Sequence, residues 1–211
     1  MDAPTSLIGP YRLLDHPFYR RWEAGELSRA ELAAYAAQYR HFEAMLPGFL
    51  AELSAGLEGP AAELVAANLA DEVGGATSHL ELFDAFAAAV GAPSAEPASP
   101  AMARLLDVYA GSLRDQSGAR ALGVLAGYEV QAAEVAVTKG DGLAARYGLG
   151  EDGCAFWRLH AELEGAHAAW TLEAAGLHGG ELDAHGFAAG AAESAAAWWS
   201  FLDEREALAA A

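Results

Sequence analysis

The longest apolar runs are rich in alanine and broken by single Glu or Asp residues, so nearly every stretch reads as an amphipathic helix. Strand-type runs of Val, Ile and Thr are almost absent, and the 53 alanines favour helix throughout. The pattern predicts helices over 5–23, 28–56, 60–90, 100–114, 117–139, 152–176 and 181–208. Ser28 followed by Glu31 is a capping box before an apolar run, and Gly91 with Pro93 stops the third helix. Segment 91–100 carries three of the eight prolines and reads as a connection inside one bundle, because neither half would bury its apolar faces alone. Gly140-Asp141-Gly142 and the stretch Gly148 to Gly153 bracket a further short helical piece. The expected architecture is all-α, a single domain over 1–211 built as a helical bundle of about seven helices.

Charge narrows the function classes. The 211 residues hold 30 acidic and 12 basic side chains, a net charge of −18. Nucleic-acid binding needs a clustered basic face, and anionic membrane surfaces attract cations, so both partners are disfavoured. No apolar stretch approaches the roughly 20 residues of a spanning helix, and the first residues lack the basic start and apolar centre of a secretory signal. A lone cysteine, Cys154, makes no intrachain disulfide and suits a reducing cytoplasm. Of the 12 basic residues 11 are arginine; the one lysine is Lys139.

Candidate chemistry lies in the acidic and histidine positions. His160, Glu164 and His167 form H-x3-E-x2-H, and at ~100° per residue they share one helix face over two turns. Two imidazoles and a carboxylate turned inward are costly to bury unless a cation compensates. Glu164-x-x-His167 also has the spacing used in carboxylate-bridged dimetal bundles. Glu72 and His79 form E-x6-H, but on an unbroken helix they would lie ~10 Å apart along the axis; Gly74-Gly75 between them is where a kink costs least. Glu129 is the leading single carboxylate on the helix between, with Glu134 as competitor. Together Glu72, His79, Glu129, His160, Glu164 and His167 suit two first-row ions such as Fe(II) or Mn(II). Each piece also has an ordinary reading as solvated surface. Among the other histidines, His16 suits a helix cap, His41 a place behind the ligands, and His178 and His185 the surface.

On these residues, and on HPFYRRWEAGELSRAELAAYAAQY and NLADEVGGATSHLELF, the chain resembles the haem-oxygenase-like dimetal oxidases, which share the fold of TenA and PqqC. The catalytic cysteine of TenA would fall where this chain has Gly127-Tyr128-Glu129, so that activity is disfavoured, and Cys154 reads as a packed small hydrophobe. Within the group the chain is similar to the CADD-like 4-aminobenzoate synthases. That resemblance implies an O2-dependent oxygenase with two divalent ions, Fe/Fe or Fe/Mn, an external reductant, and a self-sacrificing tyrosine. It maps the donor tyrosine onto Tyr19, before Trp22, and the amino-donor lysine onto Lys139, ten residues after Glu129; Tyr35 and Tyr128 also fall on family tyrosine positions. Two departures stand out. Glu164 replaces an Asp, and Phe156-Trp157 occupy the region of an expected tyrosine.

Competing readings remain at this level: the same metal scaffold acting on an external amino acid or fatty acid, or a metal-free binding or regulatory bundle. Tyr19 also reads as a core aromatic, and Lys139 before Gly140 as a complement to a helix dipole. The resemblance also allows a homodimer.

Overall fold

The computed structural model describes residues 5–93, 96–114, 118–178 and 181–209. Among them are nine α-helices and one 3-10 turn, and no strand. They are α1 (Thr5–Ile8), the 3-10 turn Leu13–Asp15, α2 (Pro17–Ala24), α3 (Arg29–Gly56), α4 (Gly59–Val73), α5 (His79–Val90), α6 (Pro100–Ser112), α7 (Ala119–Arg146), α8 (Glu151–His178) and α9 (Glu181–Ala209). The all-α bundle expected from the sequence is what the chain forms.

Local signals explain most boundaries. Ser28 caps α3 through the Glu31 amide while the Glu31 carboxylate returns to the Ser28 amide, completing the capping box. His16 caps α2: its Nδ1 accepts from the Phe18 amide at 3.0 Å, with Pro17 at the first helical position. Gly91 ends α5 in the left-handed conformation, φ 79°.

Three boundaries differ from the pattern. The predicted 5–23 helix is two short helices separated by a 3-10 turn. The predicted 60–90 helix is two, α4 and α5, broken at 74–78. The predicted 117–139 helix runs on to Arg146, so Gly140 and Gly142 lie inside α7 and Lys139 is not at its end. These glycines leave room rather than break the helix. A Cβ on Gly142 would stand 3.0 Å from the Trp22 ring, whose Nε1 donates to the Lys139 carbonyl at 3.3 Å.

The central helix is α7, packed most extensively against α8 and α9. The contact with α9 is close enough that a Cβ on Gly123 would overlap the Phe187 carbonyl. Helices α2, α3, α5, α8 and α9 contribute to a core dense in aromatic rings, including Trp22, Tyr39, Phe42, Phe83, Phe86, Trp157 and Trp198. Cys154 is buried in it, as its small-hydrophobe reading predicts.

Candidate metal centre and tyrosine cluster

Two groups of polar side chains interrupt this core. The first draws on α4, α5, α7 and α8. The break after Val73 makes it: a Cβ on Gly74 would lie 2.3 Å from the Ala70 carbonyl oxygen, and Gly75 takes φ 79°. Ser78 then starts α5 with a second capping box, leaving His79 as the first residue of the new helix. The turn replaces the ~10 Å separation of an unbroken helix with 2.9 Å between His79 Nδ1 and Glu72 Oε2. One atom each of Glu72, His79 and His160 can be chosen so that all lie within 4.8 Å of one another.

Glu164 joins them, 3.8 Å from His160 Nε2 and 3.9 Å from His167 Nδ1, and His167 Nδ1 stands 4.0 Å from Glu72. Glu129 is the charged group acting most strongly on Glu164. All six are buried, between 1% and 6% exposed. Glu134, the competitor of Glu129, lies at the surface paired with Arg12. His41 bonds the Glu96 carbonyl near the surface and takes no part.

Hydrogen bonds behind the ligands decide which atoms face inward. His160 Nδ1 lies 2.9 Å from the Phe156 carbonyl, which can only accept, so Nδ1 carries the proton and Nε2 keeps its lone pair for the site. His167 Nε2 donates to Asp71 at 3.3 Å, which turns the lone pair of Nδ1 inward. Asn68 donates to Glu129 Oε1 at 2.7 Å. Three inward atoms still have no hydrogen-bond partner: His79 Nδ1, which is near Glu72 but misaligned for a bond, Glu129 Oε2 and Glu164 Oε2. Buried polar atoms without partners are costly, and lone pairs converging from two imidazoles and two carboxylates are the donor set that divalent cations take. The residues fit a metal centre.

The charge states show the same demand. Burial pushes the Glu129 carboxyl up to about 7 and holds Glu164 well above the usual carboxylate range, with Glu129 and Glu72 adding repulsion. Burial lowers His160 to about 4. It would also raise Glu72, but the imidazoles of His79, His160 and His167 outweigh it and hold that carboxyl low. A bound cation would favour the ionised carboxylates and the neutral imidazoles together.

The second group contains Lys139, 1% exposed. Its Nζ donates to the Tyr35 hydroxyl at 2.6 Å, and the Tyr35 and Tyr19 hydroxyls are 2.9 Å apart. The amine stands over aromatic faces: 4.1 Å from the ring centre of Trp157, 4.7 Å from Tyr19 and 4.8 Å from Tyr39. No ion pair of Lys139 occurs among the described residues, and burial drives its pKa well below the ordinary lysine value. The same burial raises the phenols of Tyr19, Tyr35, Tyr39 and Tyr128. Tyr128 forms a separate hydroxyl pair with Tyr39 at 2.5 Å, one residue from Glu129.

The structure thus brings Tyr19, Tyr35 and Lys139 into direct contact, and Tyr39 connects them to Tyr128. Sequence reasoning missed Tyr39, Asn68, Asp71 and the buried Glu43 on α3. A signal existed for two of them, since Tyr35, Tyr39 and Glu43 recur every four residues on one face of α3.

The family model described as iron-containing redox enzyme matches residues 33–199. A 4-aminobenzoate synthase of Chlamydia pneumoniae is 29% identical over 92% of this chain and 89% of its own length. One from Nitrosomonas europaea is 30% identical over 94% of this chain and 87% of its own. Among solved structures, a CADD-like protein of unknown function from Nostoc punctiforme superposes with a TM-score of 0.75 at 20% identity, covering 96% of each chain. A TenA homologue from Pseudomonas syringae gives 0.80 at 15% identity, over 96% of this chain and 90% of its own, a likeness of fold.

Proposed function

Because the chain belongs to the family of iron-containing redox enzymes, we propose that it makes 4-aminobenzoate with O2, two divalent ions and an external reductant, consuming its own Tyr19 and taking nitrogen from Lys139. One observation carries this reading: the amine of Lys139 is buried 4.7 Å from the ring centre of Tyr19, with Tyr35 bonded to both.

The product bears a carboxyl and an amine para to one another, and a tyrosine side chain bears Cβ and its oxygen in the same positions. In the proposed conversion the Cα–Cβ bond of Tyr19 breaks, Cα takes up hydrogen to leave a glycine, and Cβ is oxidised by O2 to the carboxyl. At the other end the ring carbon–oxygen bond gives way to a carbon–nitrogen bond, the oxygen leaving as water, and Cε–Nζ of Lys139 breaks with Cε oxidised to an aldehyde. O2 accepts the electrons of both oxidations. The metal ions, held by Glu72, His79, Glu129, His160, Glu164 and His167, would supply the activation of O2 that closed-shell organic groups cannot; Fe/Fe and Fe/Mn both suit this donor set.

The chain's own residues do the rest. Burial disfavours the charged form of Lys139, and the neutral amine is the nucleophilic form. Tyr35 Oη accepts from Nζ and can give its own proton to Tyr19 Oη, which holds amine and phenol in register. The enclosing rings of Trp22, Tyr39 and Trp157 exclude water from both.

The test is reconstitution of metal-stripped protein with Fe(II), Mn(II) or both, reductant and O2, followed by assay for 4-aminobenzoate. Tyr19→Phe and Lys139→Met are expected to form none. Unchanged product from Tyr19→Phe rejects self-sacrifice.

A further inference from the structure

A pocket of about 190 Å³ opens between the first turns of α3 and the last turns of α9. Phe18, 1% exposed, forms its inner wall, and the exposed Ala30, Ala34 and Leu208 form an apolar rim. Two charged side chains complete the lining, Glu31 from α3 and Arg205 from α9. The Arg205 side chain is only 6% exposed. Its Nη2 donates to Glu204 at 2.9 Å, and its guanidinium carbon stands 5.7 Å from the Phe201 ring centre. Glu204 also accepts from Ser99 Oγ and the Ala101 amide. The Nε of Arg205 is buried and has no hydrogen-bond partner among the described residues. A buried donor left unused is costly, and a carboxylate is the group that matches the guanidinium fork.

Glu31 offers the opposite chemistry. Its carboxylate accepts from Arg21 Nη2 at 2.5 Å, which offsets its charge, and from the Ser28 amide at 2.7 Å. A carboxylate has about four acceptor positions, so room remains for a further N–H donor. Around one apolar space the pocket thus holds a donor suited to a carboxylate and an acceptor suited to an amine. An engineered cavity of about 150 Å³ takes benzene, so this one has room for a single ring with a small polar group at each end. Phe18 also stacks on Tyr35, 5.4 Å between ring centres, and Tyr35 bonds both Tyr19 and Lys139. We infer that this pocket binds a benzene ring carrying a carboxylate and an amine, the carboxylate on Arg205 and the amine on Glu31, and that it receives 4-aminobenzoate as it leaves the Tyr19 position.

The identity of the ligand rests on the synthesis proposed above, but the test needs neither metal nor turnover. Equilibrium dialysis of metal-free protein against radiolabelled 4-aminobenzoate is expected to show a single saturable site. Benzoate is expected to compete more weakly, and aniline at least tenfold more weakly than 4-aminobenzoate. Loss of one charge-assisted hydrogen bond corresponds to about tenfold or more in affinity, which is the weakening expected of Arg205→Met. Glu31→Gln keeps the capping box of α3 and is expected to weaken binding by a smaller factor. Ala34→Leu fills the pocket from its rim and is expected to abolish binding with the circular dichroism unchanged. No saturable site, aniline bound as tightly as 4-aminobenzoate, or affinity unchanged in both Arg205→Met and Ala34→Leu overturns the inference and leaves the synthesis standing. Failure of reconstituted protein to form product, with binding and its dependence on Arg205 intact, rejects the synthesis and not the site.

Discussion

The Nζ of Lys139 lies 2.6 Å from the Tyr35 hydroxyl, inside a wall of rings and without an ion pair among the described residues. A lysine in such a place destabilises the fold, because burial strips its amine of hydration and disfavours its charged form.

Lys139→Met is therefore expected to fold and to be more stable than wild type by about 1 kcal/mol or more, while abolishing product. Urea unfolding of the metal-free proteins measures the difference. A variant less stable than wild type would show that the amine is held for structure.

Metal-free stability is expected to fall as pH rises from about 6.5 to 7.5. Imidazoles of the unfolded chain shed their last half proton across this range, so His160, lowered to about 4, and His16 and His167, also lowered by burial, oppose the slope, each by less than one full proton. Glu129, raised to about 7, keeps its proton in the fold after the unfolded chain has lost it, and Glu164 and Glu43 shift the same way. The folded state then binds more protons, so stability declines with pH. Lys139 acts in the opposite sense, one amine against three carboxyls. Denaturant midpoints across this range check the slope, and saturating metal is expected to flatten it.

Asp71→Ala and Asn68→Ala remove the partners that orient His167 and Glu129. Each is expected to weaken metal binding by ~10–100-fold with the helical content unchanged, as read by competition with a metal-sensitive dye. Unaltered affinity in both variants would separate these residues from the centre.

Gly75→Ala places a Cβ at φ 79° and is expected to cost about 1 kcal/mol. The break that brings His79 to Glu72 is strained by the change, so metal affinity should fall as well. Stability lost with affinity intact would mean that the turn and the ligands are independent.

These residues also show how far the sequence could be read. H-x3-E-x2-H was legible because helical periodicity alone puts His160, Glu164 and His167 on one face, and α8 runs unbroken through them. E-x6-H was legible only in part: Gly74-Gly75 marked a weak point, but the full restart of the helix at Ser78 depends on a second capping box, Ser78 with Glu81, inside what reads as one apolar run. Lys139 was placed at a helix end because Gly140 and Gly142 follow it. The structure puts it mid-helix, where Gly142 admits the Trp22 ring and Gly140 lies beside Trp157, long-range contacts with no local mark. Asn68 and Asp71 act through partners 61 and 96 residues away and carry no periodic signal.

The central claim is that the ring of the product comes from Tyr19. Protein grown with ring-labelled 13C-tyrosine, stripped of metal and reconstituted with Fe(II), Mn(II), reductant and unlabelled components, provides the test. The predicted result is 4-aminobenzoate carrying all six ring labels, together with a mass loss that peptide mapping assigns to residue 19. Unlabelled product, or labelled product with residue 19 intact, would contradict it.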